Sequence, residues 1–383
     1  MTLTLDLKKI LIISVAVLAL ILGVLLVYNF FFKAAPEAPA PPITEEPIPP
    51  GQPEQPFVSP TKKLNAISQV AVVSPTISAD GQKVKYYSKE NGNVFESKFN
   101  GTGLTRISSA VLPDILKILW SPDKNKVISV FKDAQTGVKK YYYNYQTGSS
   151  KPLNQSIKQA AWSPDGSKIA YQFFDETAVI NNISASDPDG SDWKNVLPTR
   201  LRDLIIEWPK RDIIAFRTKP SGLAPSILYG VDPDNGKITN VLSHVFGLSV
   251  LWSPNGEKLI YSRTDENGKN LALAFSDWKG ETSKDVNIST FAEKCAWSQD
   301  NRTIFCAVPT ILPDNAVLPD DYYKNILNIS DEIWQMNLDT GEKTKIDLGQ
   351  DIAIDANELI LNSQEDYLLF INRKDGLLYS LRL

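Results

Sequence analysis

Histidine is almost missing from this 383-residue chain. His244 is the single copy, and there are only two cysteines, Cys295 and Cys306. A Ser-His-Asp triad would have to use His244, yet its setting, Leu242-Ser-His-Val-Phe-Gly247, reads as the end of an outer strand. Two Cys and one His do not make a zinc ligand set, so no metal is expected. The chain also has no Gly-x-Ser-x-Gly elbow, no phosphate-cradling glycine loop and no HExxH segment, so no cofactor is implied. Excess charge is lacking too, with 40 Lys and Arg against 44 Asp and Glu for a net charge of -4. That balance excludes the basic footprint of a nucleic-acid binder. Lys139-Lys140 beside Tyr141-Tyr-Tyr143 is the nearest candidate, and it reads as an exposed strand.

What is present is a recurring tag. Trp120-Ser-Pro-Asp123, Trp162-Ser-Pro-Asp-Gly166, Trp252-Ser-Pro-Asn-Gly256 and Trp297-Ser-Gln-Asp-Asn301 each precede a short β-branched or aromatic run, such as Lys168-Ile-Ala-Tyr-Gln-Phe173. Pro presets φ, Ser and Asp satisfy local donors, and Gly closes the turn, so the tag is a hairpin apex. Eroded copies begin at Ile77, Trp208 and, placing it at the Trp position, Asn362. The seven copies step by 43, 42, 46, 44, 45 and 65 residues. A period of about 45 suits a four-stranded propeller blade.

A second turn signal follows most tags, for example Gln146-Thr-Gly148, Asp187-Pro-Asp-Gly190 and Asp339-Thr-Gly341, so each unit reads as two hairpins. The last unit ends too early to hold a fourth strand. Lys63-Leu-Asn-Ala-Ile-Ser68 resembles the missing one and is expected to close the ring. The expected fold is an all-β, seven-bladed β-propeller over residues 62–383, with six or eight blades as alternatives. The Trp-Ser-Pro-Asp-Gly tag followed by Lys-Ile-Ala-Tyr resembles the repeat of TolB-like propellers, relatives of WD-type propellers common in bacterial cell envelopes. That resemblance implies action by binding other proteins, and it singles out no partner.

Ile10 to Phe32 is a run of 23 residues without a formal charge, long enough to cross a hydrocarbon layer of roughly 30 Å. It reads as a transmembrane helix. Lys8-Lys9 before the span place residues 1–9 in the cytoplasm and the rest outside, as a signal anchor in the cell membrane. A cleaved signal peptide fits less well, because the run is too long and Pro36 follows the Ala34-Ala35 site. Residues 34–60 hold ten prolines and four glutamates, so 33–61 reads as an extended extracytoplasmic linker.

Four further features carry candidate sites. The long sixth step places an insertion at about 309–330, which should project from its blade at one end of the ring; Asp320, Asp321, Tyr322 and Tyr323 in it combine charge with aromatic area, as interface anchors do. Cys295 and Cys306 flank the sixth tag, either bonded or as two small buried residues. Asp187-Pro-Asp-Gly-Ser-Asp192 offers alternate carboxylates to calcium, although an ordinary hairpin turn explains them as well. Asp123, Asp165 and Asp300 are the acids that a hydrolase or lyase working in the channel would use. The favoured reading is an interaction module for a protein or envelope polymer; the rival is that channel enzyme.

Overall fold

Each tag closes the hairpin that starts a blade. In the third blade Ser163 Oγ donates to Asp165 Oδ1 at 2.6 Å and accepts from the Lys168 amide at 3.0 Å, while the Gly166 amide donates to the Ser163 carbonyl at 2.9 Å. Gly166 has φ +68°, which a side chain would strain. The same bonds recur at Ser78, Ser121 and Ser253. In the seventh copy Asn362 stands where five of the other six have Ser, since its Oδ1 accepts from the Tyr367 amide at 2.9 Å. Leu361, not Asn362, therefore holds the Trp position.

The computed structural model describes residues 63–108, 111–134 and 137–383. The expected span 10–32 and the linker 33–61 lie outside them. Among the described residues no helix is long and apolar enough to cross a membrane. The described chain forms seven four-stranded antiparallel sheets in chain order. Blade 3 is typical, with strands Ile157–Trp162, Ile169–Asp175, Ile180–Ser186 and Lys194–Pro198. Blade 7 takes three strands from the C-terminus, and Leu64–Ala66 pairs with Leu378–Arg382 as the fourth, with Leu64 opposite Leu381. The ring is thus closed by strand pairing between the two ends of the domain.

Apolar cores lie between blades. Ile128 and Leu153 of blade 2 pack on Ile157, Trp162, Ile169 and Tyr171 of blade 3, and Leu369 and Leu378 of blade 7 pack on Val72, Val84 and Tyr86 of blade 1. The tag tryptophans stitch these seams. The Trp120 indole N–H donates to the Ser74 carbonyl at 2.8 Å, Trp162 to Leu119 at 2.9 Å, and Trp297 to Leu251 at 3.2 Å, each in the first strand of the preceding blade. Trp208 instead donates at 3.4 Å to Arg211 in its own turn, and the buried Trp252 Nε1 has no protein partner. The blade 4 strand that precedes Trp252 is irregular, with Pro209 inside a register shift between Glu207 and Lys210.

Two local expectations are sharpened. Cys295 and Cys306 sit directly opposite in blade 6, with Cα atoms 4.0 Å apart, and are joined by a disulfide. Lys140 is not on an exposed strand face: it is buried and its ammonium donates to the Ile157 carbonyl at 2.8 Å.

The indole bonds make a paired prediction. Trp162→Phe leaves the Leu119 carbonyl without its donor and should cost about 1–3 kcal/mol beyond packing, whereas Trp252→Phe removes a donor that already lacks an acceptor and should cost packing alone. Urea unfolding of both variants checks the difference, and equal losses would contradict it.

Candidate functional site

Antiparallel order puts every tag at one end of the ring and every loop between second and third strands at the other. The insertion is such a loop, joining Thr303–Pro309 to Asp331–Asn337 in blade 6. It does not project. Lys269 of blade 5 donates to the carbonyls of Asp314 and Ala316 at 2.7 and 2.6 Å, and Leu318 N–H donates to Gly268 O at 2.8 Å. Asp320 accepts from the Gly222 amide of blade 4 at 2.7 Å. Any Cβ at Gly222 would collide with the Leu318 carbonyl oxygen, so glycine permits this close approach. On the far side Arg373 of blade 7 donates to the Tyr322 carbonyl at 3.2 Å and to Asn325 Oδ1. The insertion is a strap pinned to blades 4, 5 and 7.

The strap has its own small core of Leu271, Phe291, Ala316, Leu318, Tyr322 and Ile329. Tyr322, in the one-turn helix α1 (Asp320–Tyr323), is buried and stacks on Phe291 at 4.6 Å. Of the residues singled out in the sequence, then, Asp320 is a fixing to blade 4. Asp321 accepts from the Val317 amide at 2.8 Å, and Tyr322 fills the core. Tyr323 alone keeps substantial exposure, and its hydroxyl donates to Glu293 Oε2 at 2.8 Å.

Beneath the strap lies a charge cluster. The fully buried Lys294 ammonium pairs with Asp331 at 2.8 Å and Asp355 at 2.6 Å, and Arg373 stands 3.5 Å from the second oxygen of Asp355. Burial disfavours the Lys294 charge, but Tyr322 and the two aspartates outweigh it and hold the ammonium above its usual range. Tyr322 completes the cluster with the Arg373 guanidinium 4.0 Å from its ring centroid. Two cations face two carboxylates here.

Next to this balanced group is a cavity of about 330 Å³ lined by Glu293, Tyr322, Tyr323, Asn325, Asn357, Glu358 and Arg373. Glu358 sits at a bulge of the first strand of blade 7 with φ 49°, the position that Ser74 holds in blade 1 with φ 51°. The bulge turns a charged side chain inward. Neither Glu293 nor Glu358 has an ion-pair partner within 4.0 Å among the described residues. Burial pushes both carboxyls above the glutamate value, against Tyr323 and the charges of Arg217, Lys294 and Arg373 for Glu293, and against Lys117 and a Ser74 backbone bond for Glu358. Glu293 is half-buried and Glu358 is exposed, so solvent tempers the shift of both, that of Glu358 most. A pair of protonatable carboxyls beside a guanidinium can bind a cation or exchange protons with a bound molecule.

The tag carboxylates are differently placed. Hydrogen bonds from Ser163 and Ser167 hold Asp165 down to about 2. Partial burial pushes Asp123 and Asp300 upward, but bonds from Ser121 and Asn125 in one turn, and from Thr303 and Arg302 in the other, leave both low. Each is consumed by its own turn. The carboxyls at the cavity were missed in the sequence because they come singly from separate blades. A signal existed: Glu358 interrupts the apolar inner strand Asn357-Glu-Leu-Ile-Leu361.

No family model matches the chain. Protein HIR2 of Candida albicans is 26% identical over 214 residues, which is 50% of this chain and 19% of that protein, so the chain spans about a fifth of that relative's length. Oligogalacturonate lyase from Vibrio parahaemolyticus superposes with TM-score 0.60 at 11% identity, over 85% of this chain and 95% of that one. An oligogalacturonate lyase in complex with manganese gives 0.58 at 14%, over 85% and 91%. TolB from Acinetobacter baumannii gives 0.46 at 14%, over 72% and 63%. The likeness to the lyases is one of fold. Among the described residues no three His, Cys, Asp or Glu side chains are grouped to hold a metal ion.

The raised carboxyls set a pH dependence. A carboxyl whose folded pKa lies above its ordinary 4.5 binds more protons folded than unfolded, so stability falls as pH rises from 4.5 through the folded value. Glu293→Gln should be more stable than the parent at pH 7 and show a shallower fall between pH 4.5 and 7, with a smaller change in the exposed Glu358→Gln. Melting temperatures across that range test it; parallel curves would refute the assignment.

Proposed function

We propose that this chain is a membrane-tethered, extracytoplasmic β-propeller that binds a protein or an envelope polymer through the strapped end of its ring, without chemistry of its own. The observation that carries the reading is apolar exposure on a fixed platform. Ile311 is 77% exposed, Ile326 66% and Leu223 63%, and all three belong to the strap or to the blade 4 loop pinned to it. A backbone held in place before binding loses little entropy on association, which favours a docking surface. The charge-free run Ile10–Phe32 after Lys8-Lys9, and the proline-rich 33–61, support a tether that displays the ring outside the cell.

Cross-linking from the full-length chain in intact cells, read by mass spectrometry, tests this. Ile311→Asp with Ile326→Asp should reduce capture of the partner at least tenfold while the melting temperature is unchanged, because neither side chain is buried. Undiminished capture would remove the strapped end from the proposal.

A second reading, acid–base chemistry on a glycan or peptide in the cavity, is supported by Glu293 and Glu358. The fold shared with oligogalacturonate lyases makes oligogalacturonate the first substrate to assay. Were it cleaved by the full-length chain, Glu358→Gln should lower the rate at least a hundredfold. Absence of cleavage by the parent chain would end the reading for that substrate.

A further inference from the structure

The opposite end of the ring carries a groove of about 470 Å³ between blades 3 and 4 that the docking surface does not use. It is built from turns. The first-hairpin turns of both blades supply Asp165, Lys168, Trp208 and Arg211, and the second-hairpin turns supply Asp192, Trp193, Lys194 and Asp234. Trp193 is 64% exposed, an unusual setting for so large an apolar ring. Its backbone is fixed. The Asp187 amide donates to the Ser191 carbonyl at 2.8 Å, and the Lys168 ammonium bridges Asp187 at 3.0 Å and Asp192 at 2.9 Å. That bridge also answers the calcium reading of the acidic turn, since a lysine ammonium already lies between these carboxylates.

Charge selects among occupants. The groove presents three carboxylates, Asp165, Asp192 and Asp234, against three cations, Lys168, Lys194 and Arg211. A balanced wall disfavours a polyanion or a polycation, either of which would meet as much repulsion as attraction. It offers donors and acceptors on all sides of two indoles. Arg211 has no carboxylate within 4.0 Å among the described residues, and Asp192 and Asp234 are 78% and 84% exposed, so their polar atoms remain open to further bonds. A neutral, polyhydroxylated chain matches both properties: the C–H face of a pyranose ring covers an indole, and its hydroxyls take the surrounding donors and acceptors. We propose that this groove binds a neutral glycan, with one sugar stacked on Trp193 and the next directed toward Trp208 and Arg211.

The full-length chain in detergent would be titrated with cellohexaose, maltohexaose and chitohexaose, with hexagalacturonate as the acidic counterpart and a proline-rich decapeptide as the peptide counterpart. Isothermal titration calorimetry reports binding, so that the signal does not depend on the indole removed in a variant. Saturable binding of at least one neutral hexaose is expected, at least tenfold weaker in Trp193→Ala and severalfold weaker in Arg211→Ala, with Trp193→Tyr retaining part of the affinity. Ile311→Asp with Ile326→Asp should leave this binding unchanged, so failure here is separable from failure of the strapped end. No saturable binding by any neutral hexaose, preferential binding of hexagalacturonate or the peptide, or indifference to Trp193→Ala would each overturn the proposal.

Discussion

A blade of this ring cannot bury its own faces, and the reach of one indole N–H into the preceding blade ties that necessity to a single residue. Trp162 illustrates it. The ring packs in the seam between blades 2 and 3, and the N–H reaches the Leu119 carbonyl of the earlier inner strand. Burying so large a side chain is favourable only if its polar atom finds a partner, so packing and hydrogen bonding specify the same register between blades. At Trp252 that partner is missing although the tag itself is intact. Order in the ring is therefore passed from neighbour to neighbour, as in other repeat folds.

The ring's departures from symmetry are concentrated next to its shortest inner strands. First strands have six residues in blade 3 but three in blades 5 and 6, Val250–Trp252 and Cys295–Trp297. Fewer ladder bonds there call for other ties. The disulfide links the first two strands of blade 6, the Ser249 hydroxyl accepts from the Ala292 amide at 3.1 Å, and Glu365 of blade 7 accepts from Ser298 and Gln299 of blade 6 at 2.8 and 2.7 Å. The strap adds its bonds to blades 4, 5 and 7 above the same region. The Lys294 cluster lies beneath it: Lys294 is the ion-pair partner of Asp331 and shares Asp355 with Arg373, so removing the lysine would leave Asp331 buried and uncompensated.

The repeat was legible because it is written in local chemistry. Pro, Ser, Asp and Gly at fixed offsets define a turn regardless of what lies around them, so blade number and the closing strand at Leu64–Ala66 could be read directly. Asn362 was placed one residue out of register because an amide oxygen can do the work of the tag's serine hydroxyl, a substitution visible only once the Tyr367 amide is located. The site was less legible. Asp320 to Tyr323 drew attention as exposed polar and aromatic residues, but their partners, Gly222, Phe291 and Glu293, lie up to about a hundred residues away and share no spacing with them. Lys294 and Arg373 likewise become a pair only through the ring.

The two ends of the ring consequently offer different kinds of surface, and the difference follows from strand order. Tag-end loops are tight turns, and the tag carboxylates are bound to their own backbones, so that end is rigid, polar and repeated. Variety enters there only through what flanks a turn, as with Trp193 beside the Lys168 bridge. Loops at the other end join second to third strands, are free of the tag's requirements, and can lengthen without breaking a hairpin, as the strap has done. A rigid polar end suits repeated, weak recognition of a polymer, whereas a remodelled end with apolar side chains on a pinned backbone suits a single partner. One ring can present both surfaces at once, because they lie at opposite ends of its strands.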